Sequence, residues 1–234
     1  MAVLVVIRPE PGNAATVAAA RAAGIETHGF PLFTITPRRW DAPLLGAHDA
    51  LLIGSANALR HGGAGLAALR QLPVYAVGET TAAAARAAGF TVALTGRGGL
   101  QAVLNQITPD HPRLLRLAGA ERIALTAPAG IRIDERVVYA SEPQPLPGAL
   151  IDLLRRPAIV ALHSAEAAHH FAAQCVTHGL HRASLRIAAL GPRIAKAVGD
   201  GWGEVAVAAT PDDNALLALA RQMCQDPEPT GRGR

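Results

Sequence analysis

Short runs of Val, Ile and Leu alternate along the chain with Ala-rich stretches whose apolar positions recur at helical spacing. Residues 3–7 form a continuous β-branched run, which predicts a strand buried on both faces. Residues 12–23 predict a helix stopped by Gly24, and 25–30 return to strand character. Further strands are expected at 49–53, 74–77, 91–94, 114–117 and 135–140, with helices at 56–69, 79–88 and 100–107. Between Ala120 and Val138, Pro128 and Gly130 interrupt the pattern, so a helix there is short or absent. After the proline-rich stretch 141–147 the alternation restarts. Strands are expected at 158–162, 187–190 and 205–208, and helices at 165–178, 193–198 and 214–224. The polar tail beyond reads as disordered.

Strand–helix alternation throughout predicts an α/β protein whose parallel sheets carry helices on both faces. Two proline-rich crossings, at 31–37 and 141–147, predict two lobes. If both crossings join the lobes, residues 1–35 belong with 146–226 in one discontinuous lobe. Residues 36–145 form the other, and 227–234 are left as a tail. An internal repeat supports this division. Ala50 to Ala56 resembles Ile159 to Ala165, each a strand ending in Ser before a helix. Val74 to Gly78 resembles Ile187 to Gly191 in the same way. The expected architecture is therefore two similar parallel-sheet lobes of flavodoxin or Rossmann type.

Half of the residues are hydrophobic but only 3% are aromatic, so the core must be aliphatic. The net charge of +4 comes almost wholly from Arg; Lys196 is the only lysine. The arginines are scattered, and pairs such as Arg38-Arg39 are too short to suggest nucleic acid. Their abundance fits a GC-rich coding sequence, and fixed guanidinium groups also suit carboxylates. Cys175 and Cys224 form no CxxC pair, so neither a zinc site nor a redox motif is indicated. No apolar run reaches the ~20 residues of a membrane span, and residues 1–9 lack the basic start of a signal peptide. A soluble, cytoplasmic monomer with no nucleic-acid or membrane partner is expected.

In open parallel sheets, ligands bind at the carboxyl ends of the strands. That rule selects Arg8, Ser55, Gly78, residues 117–119, Tyr139, His163, Ser164 and Gly191. Ser55, Thr80, Thr81, Ser164 and the turn from Gly191 to Arg193 would sit at helix starts, where free N–H groups favour anions. Plain N-capping explains Ser55, Thr80 and Ser164 equally well. Tyr139 could act as a general acid or lie half-buried in a core. His163, His169, His170, His178 and His181 read as a solvated helix face rather than a metal site. Gly62 to Gly65 and Arg97-Gly98-Gly99 match no phosphate-loop motif, so no nucleotide cofactor is expected.

At these positions the chain resembles the uroporphyrinogen-III synthase family over nearly its whole length. The resemblance is carried by Arg8-Pro9; Pro31-Leu32-Phe33; Ile53-Gly54-Ser55-Ala56-Asn57; and Val77 to Ala82. It continues through Arg116 to Gly119, Val137-Val138-Tyr139, His163-Ser164, Ala189-Leu190-Gly191-Pro192 and Ala209-Thr210-Pro211. Gly54 and Ile194 each stand where the family commonly has Thr.

The resemblance implies two lobes joined by a two-stranded linker, with hydroxymethylbilane bound between them and no cofactor or metal. It implies cyclisation with loss of water and inversion of ring D, giving uroporphyrinogen III. On this basis Tyr139 is the expected catalytic residue. The expected substrate-binding residues are Arg8, Ser55, Asn57, Gly78, Thr80, Thr81, Ser164, Gly191 and Arg193. The alternative is a catalytically inactive two-lobed small-molecule binding or sensor protein of the same fold. A flavodoxin-like redox protein would need a phosphate loop and stacking aromatics, and neither is evident.

Overall fold

The structure, a computed structural model, describes residues 2–44 and 46–225. The tail expected at 227–234 lies outside the described residues. The elements follow in order β1 (Val3–Val6), α1 (Gly12–Ala22), β2 (Thr27–Gly29), β3 (Phe33–Pro37), β4 (Ala50–Ile53) and α2 (Asn57–His61). Then come β5 (Val74–Val77), α3 (Gly78–Ala87), β6 (Val92–Gly96), α4 (Leu100–Leu104), β7 (Arg113–Gly119) and β8 (Arg132–Pro143). The last third holds α5 (Gly148–Leu154), β9 (Ala158–Leu162), α6 (Ala165–Thr177), β10 (Leu185–Ala189), α7 (Pro192–Val198), β11 (Glu204–Val207) and α8 (Asp213–Gln225). Two compact units result: residues up to Thr34 with those from Pro143 onward, and Ile35–Glu142.

In the first unit the strand order is β11-β10-β9-β1-β2, and all four pairings are parallel. In the second it is β3-β8-β7-β4-β5-β6, with β4 to β8 joined by parallel pairings. Beginning from β4 and from β9, both sheets reduce to one doubly wound order. Each central strand carries its next two strands on one side and two further strands on the other. The first unit is the circularly permuted version, because its last two strands, β1 and β2, come from the start of the chain. The internal repeat Ala50–Ala56 and Ile159–Ala165 marks those two central strands.

The central strands are buried on both faces, as a parallel sheet covered by helices requires. Every residue of β4, β9 and β10 is buried, whereas the edge strand β11 is largely exposed. In the first unit Val5, Val160, Ile187 and Phe171 pack on one sheet face; Leu4, Ile159, Leu216 and Met223 pack on the other. Phe171 is fully buried and stacks on Trp202 at 5.6 Å. Burial of such a side chain stabilises by roughly 2–3 kcal/mol. In the second unit Leu51, Ile53, Leu115 and Val138 face α2 and α3, and Leu52, Tyr75 and Leu114 face α4.

Three local features depart from the expectations. The helix expected over 56–69 is broken: α2 ends at His61, and Gly63–Leu69 is a 3-10 helix. A Cβ at Gly62 would stand 2.6 Å from the Ala58 carbonyl oxygen, so the pair Gly62-Gly63 bends the chain there. The short helix α5 follows directly on Pro147, whose extended backbone turns the chain into it, and the proline-rich run had concealed it. β8 is longer than expected, Arg132–Pro143. Residues 120–131, between the parallel strands β7 and β8, contain neither helix nor strand, in line with the interruption expected from Pro128 and Gly130. A helix normally fills such a crossover. Here Leu125 and Ile131 of the extended segment cover the sheet face in its place.

Candidate functional site

In doubly wound sheets the crevice opens at the carboxyl ends of the strands where the order reverses. In the second unit that point lies between β4 and β7, and a cavity of about 440 Å³ opens there. Its walls come from the end of β4 (Gly54, Ser55), the end of β7 (Arg116 to Gly119), the turn Gly98-Gly99 with Leu100 and Gln101, the segment 121–125, and Tyr139 on β8. The lining is mainly aliphatic with a few polar groups, as small-molecule sites usually are.

Tyr139 is half-buried and meets Gly119 across the β7–β8 pairing. Gly119 is small by necessity, because a Cβ there would lie 2.8 Å from the tyrosine ring. Gly54 has a similar cause. A Cβ there would stand 3.3 Å from Leu100, so the Thr common in the family would press on the cavity wall. Ser55 is not an N-cap: that position is Ala56, and the Ser55 hydroxyl accepts from the Asn57 N–H at 3.2 Å. Asn57 in turn accepts from Arg60 at 3.3 Å.

Gly78 opens α3 directly off β5 with φ +73°, and nothing lies within 4 Å of where its Cβ would be. That turn makes Val77 the N-cap and leaves Thr80 inside the helix, exposed, so the capping role considered for Thr80 does not apply. Thr81 is buried and faces the core. Of the expected residues in this unit, Ser55 and Tyr139 share the cavity; Asn57, Gly78, Thr80 and Thr81 are not among its lining residues.

Three tethers hold the segment 120–131 over the cavity. Arg122 donates to Glu135 at 2.7 Å and to the Ala120 carbonyl at 3.0 Å. Arg116 donates to the Ile123 carbonyl at 3.0 Å. The Gln101 side chain both donates to the Thr126 carbonyl and accepts from the Thr126 N–H, each at 2.9 Å. Glu135 stands opposite Arg116 in the β7–β8 register and also accepts from it at 2.6 Å. Burial alone would raise the Glu135 pKa; the bonds from Arg122 and Arg116 outweigh it and hold the carboxyl below its ordinary range. Sequence reasoning missed Gln101, Arg122 and Glu135. The one signal for them is a charge, Arg116, within the buried run that follows Arg113 in β7.

The corresponding reversal in the first unit lies between β9 and β1. Ser164 is an exposed N-cap of α6, accepting from the Ala167 N–H at 3.1 Å, as the capping reading expects. Gly191 is the N-cap of α7, and Arg193 beyond it is exposed. Ile194 is buried in the core, which explains a large apolar side chain where the family has Thr.

Arg8 is not an open cation. It donates to both oxygens of Asp213, at 2.7 and 3.0 Å, and to Thr16 at 3.3 Å. The His163 side chain is buried with its Nε2 3.4 Å from the same carboxylate. Neither is His170 solvated: its Nε2 lies 2.7 Å from the Gln144 carbonyl oxygen and its ring packs edge-on to Phe33. Among the described residues, no group of three His, Cys, Asp or Glu could hold a metal ion, and no helix is long and apolar enough to cross a membrane.

Residues 14–218 match the family model described as Uroporphyrinogen-III synthase HemD. No curated protein matches the chain. Among solved structures, the uroporphyrinogen-III synthetase of Helicobacter pylori is similar at a TM-score of 0.66 and 17% identity, over 95% of this chain and 100% of that one. A mutant uroporphyrinogen III synthase of Thermus thermophilus is similar at a TM-score of 0.55 and 18% identity, over 96% of this chain and 100% of that one. At such identities the structures speak for a shared fold, and the match across residues 14–218 speaks for descent: the chain belongs to the uroporphyrinogen-III synthase family.

Proposed function

We propose that the chain is a uroporphyrinogen-III synthase, a cyclising lyase that closes hydroxymethylbilane into uroporphyrinogen III. The observation that carries this reading is the family match over residues 14–218. The substrate is a small polycarboxylate. In the family's reaction, loss of its terminal hydroxyl gives an azafulvene cation, ring D attacks through its substituted carbon, and the spiro intermediate fragments and recloses with ring D inverted. Such chemistry depends on holding the reacting carbons together and excluding water more than on a strong base.

The cavity at the β4–β7 reversal supports assigning Tyr139 as the donor that assists hydroxide departure. Ser55 shares that cavity and is assigned to binding. Asn57 opens α2, Gly78, Thr80 and Thr81 lie in the first turn of α3, and Ser164, Gly191 and Arg193 occupy the helix starts of α6 and α7 in the other unit; all are assigned to carboxylate binding. Thr81 acts through its backbone, since its side chain is buried. Arg8 joins them through a guanidinium that Asp213 already orients. We assign the activity to a cytoplasmic monomer; two free cysteines fit a reducing compartment.

Product-isomer analysis after incubation with hydroxymethylbilane tests the reading. Type III product, formed faster than spontaneous closure, is expected. Exclusive type I product, the result of uncatalysed closure, refutes it.

A further inference from the structure

Among the described residues lining the cavity, Arg116 is the one with a buried side-chain nitrogen that has no hydrogen-bond partner. The residue is 4% exposed and lines the cavity floor at the β4–β7 reversal. One terminal nitrogen, Nη1, serves both Glu135 and the Ile123 carbonyl. Its Nε–H is fully enclosed and has no hydrogen-bond partner among the described residues. A buried donor left without an acceptor is costly, so such a group points to a partner that arrives from outside the chain.

The local charge agrees. Arg116 and Arg122 share a single carboxylate, Glu135, so neither guanidinium has a carboxylate to itself. Glu135 stands behind the lining; Glu121 is the acid among the lining residues, and it is exposed. Leu100, Leu117, Ile123 and Leu125 supply an apolar wall beside the guanidinium. The combination suits a planar ring bearing a short carboxylate arm.

Resting on the reading of the chain as a synthase, we propose that Arg116 is the receptor for one carboxylate arm of the substrate. The arm enters beneath the segment 120–131, displacing the side chains that enclose the Nε–H, and accepts from it, while Glu135 keeps the rest of the guanidinium in place. A guanidinium offers a carboxylate directional donors that an ammonium lacks. Arg186 supplies the contrast. It too is buried with a bare nitrogen, but it stands near the start of β10 opposite Glu204, at the other end of its strand from the edge where ligands bind.

The test uses the full chain with Arg116→Lys, which keeps the charge facing Glu135 and removes the Nε–H. KM for the linear tetrapyrrole is expected to rise at least about tenfold, with kcat changed less than about twofold. Arg186→Lys is expected to leave KM unchanged. A folded Arg116→Lys protein with wild-type KM overturns the proposal. Should that variant fail to fold, the wild-type protein still decides. A monopyrrole bearing one acetate and one propionate arm is titrated into nitrogen-15-labelled protein, following the Arg116 Hε resonance. A downfield shift supports the proposal, and an unmoved resonance at saturation overturns it. Wild-type protein yielding only type I product removes the synthase reading and this inference with it. Type III product combined with an indifferent Arg116→Lys removes the inference alone.

Discussion

A Cβ placed on Gly119 would stand 3.0 Å from the Tyr139 hydroxyl and 2.8 Å from its ring. The glycine thereby fixes where the proposed proton donor sits. Tyr139→Phe keeps the ring and removes the hydroxyl, so turnover is expected to fall at least about tenfold while the melting temperature stays within a few degrees. Gly119→Ala is expected to cut turnover similarly by pushing the ring aside, and the two changes together should be far from additive. A single-turnover rate in Tyr139→Phe equal to wild type removes Tyr139 from the mechanism.

Ser55 and Ser164 occupy matching positions in the repeat but different local roles. Ser164 caps a helix of 13 residues, so Ser164→Ala is expected to cost about 1 kcal/mol, lowering the melting temperature by about 2–4 °C. Ser55 accepts one local bond and caps nothing, so Ser55→Ala should cost less stability. Ser55 lines the cavity, so its replacement is expected to raise KM several-fold. Equal melting shifts for the two variants would show that their roles are the same after all.

Much of this organisation was legible in the sequence. Strands buried on both faces are nearly uninterrupted apolar runs, so β1, β4, β5 and β9 stand out without knowledge of their partners. The repeat exposed the two central strands, and from them follows the shared sheet order. Strand register was not legible, and the Arg116–Glu135 pair depends on it. Nor could Arg8 be paired with Asp213, 205 residues away; its charge alone suggested a ligand contact. Pro128 and Gly130 marked 120–131 as lacking a full helix, but its path was not legible, because side-chain tethers rather than any periodic pattern give it its shape.

Gln101 holds that segment by two hydrogen bonds to Thr126, both exposed to solvent. Each contributes at the low end of the usual 0.5–1.5 kcal/mol. Gln101→Ala is therefore expected to leave the global melting temperature nearly unchanged while the Thr126 amide exchanges at least about threefold faster. Unchanged exchange at Thr126 would mean that Arg116 and Arg122 suffice to hold the segment.

The thiols should be slow to react. Burial pushes the Cys175 thiol up to about 12, despite the nearby Arg182, and burial also raises Cys224. At about pH 8 the folded protein is expected to label at Cys224 slowly and at Cys175 hardly at all, with both labelling rapidly in denaturant. Fast native labelling of Cys175, read by peptide mass spectrometry, would place that side chain outside the core.

Asp213 should make stability fall in strong acid. Its carboxyl is held down from the ordinary 3.8 to about 2, first by His163 and then by Arg8 and the Thr16 hydroxyl, against partial burial. The 3.4 Å His163 contact leaves the ring nitrogens without hydrogen-bond geometry, so the 2.7 Å Arg8 pair is the firmer interaction. Because the folded pKa lies below the unfolded one, the unfolded chain takes up this proton first as pH falls. The stabilisation is complete above about pH 4 and is lost as pH falls through about 2. With the Asp213 side chain 43% exposed, solvent screening reduces the contribution to about 1 kcal/mol. Urea denaturation of wild type and Asp213→Asn is expected to show a gap of that size near pH 6 and almost none near pH 2. A gap that persists unchanged into acid would trace the loss to the position of Asp213 at the start of α8 rather than to its charge.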